Sequence, residues 1–163
     1  MIHFGPPKRD SKCIYYHGTR AQMEKIYLEG IKPIGTVPMF KAIDKALKYF
    51  GLTIHDATAI PAFRELLYGK RGLVKSSHHV YITQSQDYAE GYARTGPDWL
   101  SEMIRIIGHD KYWDDAKAYR ASLGSPKVVL IDCDGIEDTI VGGVQVAYIP
   151  PSRILSYYHL DGD

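Results

Sequence analysis

The stretch Tyr15-Tyr16-His17-Gly18-Thr19-Arg20 stands where an apolar strand gives way to a helix. Before it, Cys13, Ile14, Tyr15 and Tyr16 form a run rich in β-branched and aromatic side chains, the composition of a buried strand. After it, Thr19 and Gln22 have the spacing of a capping box, and Met23, Ile26, Tyr27 and Gly30 recur at helical spacing with Gly30 as the stop. His17 is therefore expected at a strand-to-helix corner. Gly18 beside it lets a ligand approach the backbone closely, and helix starts gather unpaired N–H groups that suit a nucleotide or an anion. On these residues alone, a turn-capping histidine followed by a turn glycine is an equal reading.

Outward from this corner, Ile31 to Met39 carries Pro33, Gly35 and Pro38 and reads as a loop. Ala42, Ile43, Ala46, Leu47 and Phe50 then mark a helix ended by Gly51, and Pro61 opens another that buries Phe63, Leu66 and Leu67. His79-Val80-Tyr81-Ile82-Thr83 is the next strand. Thr83 and Gln86 repeat the capping-box spacing, and Tyr88, Ala89, Tyr92 and Ala93 give the helix face that follows. Pro97 starts a further helix with Trp99, Leu100, Met103, Ile104 and Ile107 inward and Gly108 closing it. Tyr112, Trp113, Ala116, Tyr119 and Leu123 mark one more, ending at Gly124.

The last third changes character. Val128-Val129-Leu130-Ile131, Val144 to Ile149 and Arg153 to His159 read as strands. Helices with interspersed strands followed by several strands late in the chain predict an α+β domain on a mostly antiparallel sheet. The 163 residues suffice for a single domain over 1–163, with no Pro/Gly/Ser-rich linker, internal repeat or low-complexity tract.

The 20 basic and 19 acidic residues nearly cancel, so a nucleic-acid partner would need a local patch, for which Lys8-Arg9, Lys12 and the group Lys70, Arg71 and Lys75 are candidates. Cys13 and Cys133 each sit within or beside an apolar run and read as buried, reduced thiols without metal-ligand spacing. The adjacent His78-His79 points to opposite faces of a strand, which also argues against a metal. With no leader pattern and no bilayer-length apolar run, a cytoplasmic protein without membrane contact is expected.

Three strand-associated polar positions stand out: His17, Tyr81 and Gln145. Around them, Tyr-His-Gly-Thr at 16–19, Val-Tyr-Ile-Thr at 80–83 and a helix with Asp-Tyr-Ala-Glu-Gly-Tyr-Ala come before a strand leading to Ile149-Pro150-Pro151-Ser152-Arg153-Ile154. In this order the blocks resemble the diphtheria-toxin-like ADP-ribosyltransferases, the H-Y-E group that includes the poly(ADP-ribose) polymerases. The first two blocks are also similar to the rifampin ADP-ribosyltransferases. The resemblance covers about a third of the chain. It implies the ADP-ribosyltransferase fold, a split antiparallel sheet with flanking helices, and NAD+ as a substrate with no metal.

Residue by residue, the resemblance implies that His17 holds the adenosine ribose and that the Gly18 backbone meets the nicotinamide amide. It implies that Tyr81 stacks on the ring and Tyr92 on its other face, while Thr19 matches the small hydroxyl residue after the glycine. Ala89 falls where the polymerases often carry a serine that bonds the amide. Gln145 matches the glutamate that contacts the 2′-hydroxyl of the nicotinamide ribose; Glu137 and Asp138 are its nearby rivals. A glutamine accepts a hydrogen bond from that hydroxyl but neither takes a proton nor offsets the charge growing on the ribose.

His17, Tyr81 and Gln145 are thus the candidate catalytic residues, and His17, Gly18, Thr19, Tyr81, Ala89 and Tyr92 the candidate NAD+-binding residues. The implied activity is transfer of one ADP-ribose to an unidentified acceptor: a protein, a nucleic acid or a small molecule. Chain elongation is not favoured without a carboxylate at position 145. Two alternatives accompany it. One is an RNA 2′-phosphotransferase, from which the chain departs at Ser77 and Tyr81. The other is a catalytically silent NAD or ADP-ribose binding module.

Overall fold

The computed structural model describes residues 13–161. Strand β1 (Ile14–Thr19) carries the quoted stretch and pairs antiparallel with β3 (Lys127–Asp132), His17 opposite Val129 and Gly18 opposite Val128. On its far side β3 pairs antiparallel with β5 (Ile154–His159), giving the order β1-β3-β5. A second, two-stranded antiparallel sheet joins β2 (Val80–Tyr81) to β4 (Gln145–Val146), with Tyr81 opposite Gln145. Among the described residues the two sheets touch through one bridge, in which Tyr16 and Thr83 exchange backbone hydrogen bonds of 2.7 and 3.0 Å. This is an α+β arrangement with antiparallel pairing throughout, as the sequence pattern predicts.

The helices are α1 (Met23–Glu29), α2 (Thr36–Tyr49), α3 (Ile54–Thr58), α4 (Pro61–Tyr68), α5 (Leu73–Ser76), α6 (Gln86–Thr95), α7 (Asp98–Ile107) and α8 (Tyr112–Ser122). Gly30 ends α1 with φ of 79°, and Gly108 ends α7 in the left-handed region at 69°. Buried residues form two groups. Ile43, Leu47, Phe63, Leu67, Met103 and Tyr119 lie in a helical core shared by α2, α4, α7 and α8. Tyr15, Ile26, Val80, Val129, Ile131 and Ile149 lie in a second core between α1 and the sheets. Val128, Val129 and Ile131 of the central strand are fully buried, so the unbroken apolar run of β3 has a direct cause: both faces of that strand are covered.

Arg20 fixes the corner after β1. Its buried guanidinium donates to the carbonyls of Ala93 and Arg94 at the end of α6 and to those of Arg120 and Gly124 around the end of α8. One side chain thus satisfies carbonyls that two helix ends leave without intrahelical partners.

Several local expectations are corrected. Gln22, not Thr19, precedes α1 and makes no side-chain cap, while Thr19 Oγ1 accepts from the N–H of Ala21 in a tight turn. Likewise Ser85 rather than Thr83 caps α6, accepting from the N–H of Tyr88 at 3.2 Å. The Thr/Gln spacing matched a box, but in both places the threonine hydroxyl accepts instead from the N–H two residues on. The loop after α1 ends at Gly35, because Pro38 is accommodated in the first turns of α2. The two helices expected before Tyr81 are accompanied by short α3 and α5. Thr53 provides a true capping box with Asp56 for α3.

The strands at 79–83 and 144–149 shrink to two residues each, and His78 and His79 lie in the turn after α5 rather than on a strand. Tyr27 and Trp113 are exposed. Both cysteines are free and buried. The basic candidates Lys8, Arg9 and Lys12 lie outside the described residues. Among the described residues no helix is long and apolar enough to cross a membrane.

Candidate functional site

Strand alternation explains why a cleft opens at His17. Tyr16 directs its N–H and C=O toward β2 and bonds Thr83, so the next ladder position on that side would join Gly18 to Tyr81. That rung is missing. The carbonyl of Tyr81 is taken instead by the His17 side chain, with Nδ1 at 2.8 Å. Among the described residues, the N–H and C=O of Gly18 on this edge find no backbone partner across the split. A split sheet thus leaves one donor and one acceptor facing a cavity.

Gly18 is required there for a reason the sequence does not disclose. A Cβ on it would stand 2.1 Å from the carbonyl oxygen of Ala89 and 2.9 Å from the nitrogen of Ala93, both in α6. The glycine lets α6 lie directly on β1, so the close approach it permits is first that of a helix.

The cleft between β1, β2 and α6 has a volume of about 480 Å³, a size suited to a small ligand group. Tyr16, His17, Tyr81, Tyr88, Tyr92 and Asp98 line it, with Gly18 and Ala89. It adjoins a second cleft of about 500 Å³ through His17, Tyr81, Tyr92 and Asp98, and that space is lined also by Lys32, Arg71 and His79. One compartment is therefore lined by four tyrosines, and its neighbour carries charged side chains of both signs, Lys32 and Arg71 with Asp98 and Glu102.

Because a carbonyl only accepts, the His17 ring donates from Nδ1 when it binds Tyr81, and its neutral form presents Nε2 as an acceptor. Burial lowers the imidazole pKa below its ordinary value, with the hydrogen bond to the Tyr81 carbonyl partly opposing the shift. The neutral tautomer is thereby favoured at physiological pH. The side chain of Gln145 completes the line: its Nε2 donates to Tyr81 Oη at 3.0 Å. His17, Tyr81 and Gln145, drawn from three separate parts of the chain, form one connected hydrogen-bonded series. Gln145 Oε1 remains as the acceptor of that amide. Gln145 itself lines neither cleft; its neighbour Val144 lines the first.

Tyr92 projects from α6, and burial followed by the neighbouring Asp98 carboxylate pushes its phenol pKa up, with the Asp98 backbone N–H opposing. It is a neutral ring and a hydrogen-bonding hydroxyl at any ordinary pH. Ala89 is buried in the floor and offers no side-chain donor where a serine was the comparison. Thr19 lines neither of these two clefts.

Glu137 sits at the opposite end of β1, where its carboxylate accepts from Cys13 Sγ at 3.3 Å; neither it nor Asp138 lines the clefts. Cys13, Asp134 and Glu137 bring ligand-type atoms within 4.8 Å of one another, a grouping that cysteine spacing alone did not suggest. Burial and the two carboxylates push the Cys13 thiol up to about 11, so it is a proton donor there.

Sequence reading missed Tyr16, Tyr88 and Asp98. Tyr16 and Tyr88 stand inside motifs already singled out, but periodicity marked them as core-facing. Asp98 follows Pro97 at a helix start, where an acid is ordinary. The chain matches no protein-family model and no curated protein sequence.

Proposed function

We propose that the paired clefts bind NAD+ and that the protein is a mono-ADP-ribosyltransferase, cleaving the nicotinamide–ribose bond and passing ADP-ribose to an acceptor. The observation that carries this reading is the missing rung between Gly18 and Tyr81, bridged by His17 and continued to Gln145. The free N–H and C=O of Gly18 match the C=O and NH₂ of a carboxamide. Tyrosines 81 and 92 supply ring faces for a flat heterocycle. Lys32 and Arg71 bring to the adjoining space, which Asp98 and Glu102 also line, the cations that a diphosphate calls for.

In this reading nicotinamide departs with the electron pair of its bond to ribose C1, and positive charge develops on the ribose. His17 Nε2 accepts from a ribose hydroxyl of the bound nucleotide. Gln145 Oε1 accepts from the 2′-hydroxyl, orienting the sugar without neutralising its charge. The rate enhancement then comes mainly from holding the dinucleotide bent with its C1 face open to the acceptor. The acceptor's nucleophilic atom bonds to C1, and its proton, where it carries one, passes to water.

A second reading is favoured by Gln145 itself: an amide where a carboxylate would aid the cationic transition state suits a module that binds NAD+ without turning it over. Adenine-labelled NAD+, incubated with the protein and with separate protein and nucleic-acid fractions while free nicotinamide is followed, tests both. Release of nicotinamide with label fixed to one fraction is expected, and Tyr81→Ala should lower the rate at least about 100-fold with a native far-UV spectrum, as for loss of a positioning group. Binding without release selects the module. Unchanged turnover in Tyr81→Ala removes the site assignment.

A further inference from the structure

Asp98, the first residue of α7, lines both clefts together with His17, Tyr81 and Tyr92. Among the described residues it is the only Asp, Glu, Lys or Arg that lines the tyrosine cleft. No cationic side chain pairs with it among the described residues, and burial of its surroundings alone accounts for a carboxyl pKa raised from its ordinary value. The helix start tolerates an acid here. That does not explain why the one fixed charge that the described residues bring to an aromatic cleft is negative, with no ion-pair partner among them. Tyr16, Tyr81, Tyr88 and Tyr92 line the same space, so four tyrosines surround it. Ring faces with one carboxylate are the chemistry that recognises an organic cation, through cation–π attraction and direct charge pairing.

We propose that Asp98 is a specificity residue that makes the tyrosine cleft select a positively charged pyridinium ring over a neutral ring of the same shape. This rests on the reading of the cleft as an NAD+ site. It adds a consequence for turnover. When the bond between ring nitrogen and ribose C1 breaks, both electrons return to the ring, which becomes neutral nicotinamide. The attraction to Asp98 then vanishes with the charge, and the leaving base is released from a cleft that held it as a cation.

The test is equilibrium binding of two ligands that differ in ring charge. One is carba-NAD+, whose ribose ring oxygen is replaced by a methylene so that the glycosidic bond is not cleaved; the other is NADH. The wild-type protein is expected to prefer the cationic ligand by about tenfold. Asp98→Asn should reduce that preference to within about twofold by weakening carba-NAD+ binding alone, and Asp98→Glu should retain most of it. Equal wild-type affinity for the two ligands overturns the role of Asp98 while leaving the NAD+ site standing, and this arm needs no variant to fold. Equal weakening of both ligands in Asp98→Asn also overturns it, marking a merely structural residue. Failure of the wild-type protein to bind either ligand overturns the NAD+ reading, and this inference with it.

Discussion

His17 does two jobs with two nitrogens. Nδ1 replaces a missing main-chain donor to Tyr81, and this fixes Nε2 as the atom offered to a ligand. Since burial lowers its pKa in the folded state, the folded protein resists protonation that the unfolded chain accepts near the ordinary value of 6.5. The sign follows: the unfolded state binds more protons in the window below 6.5, so stability rises with pH through that window. The contribution is complete above 6.5 and is lost as pH falls through the folded value. Denaturant unfolding at a series of pH values should show a steeper loss toward acid in the wild type than in His17→Gln. Coincident pH profiles would mean that the imidazole titrates alike in both states.

At the scale of elements, the decisive contact is α6 lying against β1. The helix brings Tyr88 and Tyr92 to the cleft and is held at its far end by Arg20, which grips the carbonyls of Ala93 and Arg94. Gly18 sets how close the helix comes. Adding a methyl at Gly18 forces it against backbone atoms, not against a flexible side chain, so α6 must move as a unit. Gly18→Ala is expected to cost about 1–3 kcal/mol in denaturant unfolding, the usual range for overpacking. It should also weaken dinucleotide binding measured by calorimetry, because the two tyrosines move with the helix. A variant of native stability and affinity would show that β1 and α6 separate freely.

For the whole molecule, the two apolar cores divide the work. The helical core around Phe63, Leu67 and Tyr119 lies away from the tyrosine cleft, whereas the sheet core around Tyr15, Val80 and Val129 underlies it. Phe63 is fully buried, so Phe63→Ala should destabilise by about 3–5 kcal/mol through lost burial and a residual cavity. If the cores fold as one cooperative unit, fluorescence and circular dichroism report a single coincident transition in this variant as in the wild type. Separated transitions would identify the helical part as an independently melting region. In either case dinucleotide affinity measured below the transition should stay within about twofold of wild type, since no cleft residue is altered.

What was legible in the sequence was local. The apolar and aromatic run at 13–16, the helix stop at Gly30, the proline-led start of α4 and the apolar strand at 128–131 are periodicity and turn chemistry, and neighbouring residues suffice to set them. The motif positions His17, Tyr81 and Gln145 were legible as marked residues on strand-like stretches, though not as touching. Their connection spans separations of 64 residues at both hydrogen bonds, and only the pairing of β2 with β4 and the bridge from Tyr16 to Thr83 creates it. Tertiary structure alone decided that the ladder stops one rung short, that Gly18 is a glycine because α6 occupies its missing methyl, and that Asp98 faces tyrosines. The physical reason is common to all three: a sequence pattern states which face of an element is apolar, but a missing hydrogen bond or a cleft is defined only by what the opposing element fails to fill.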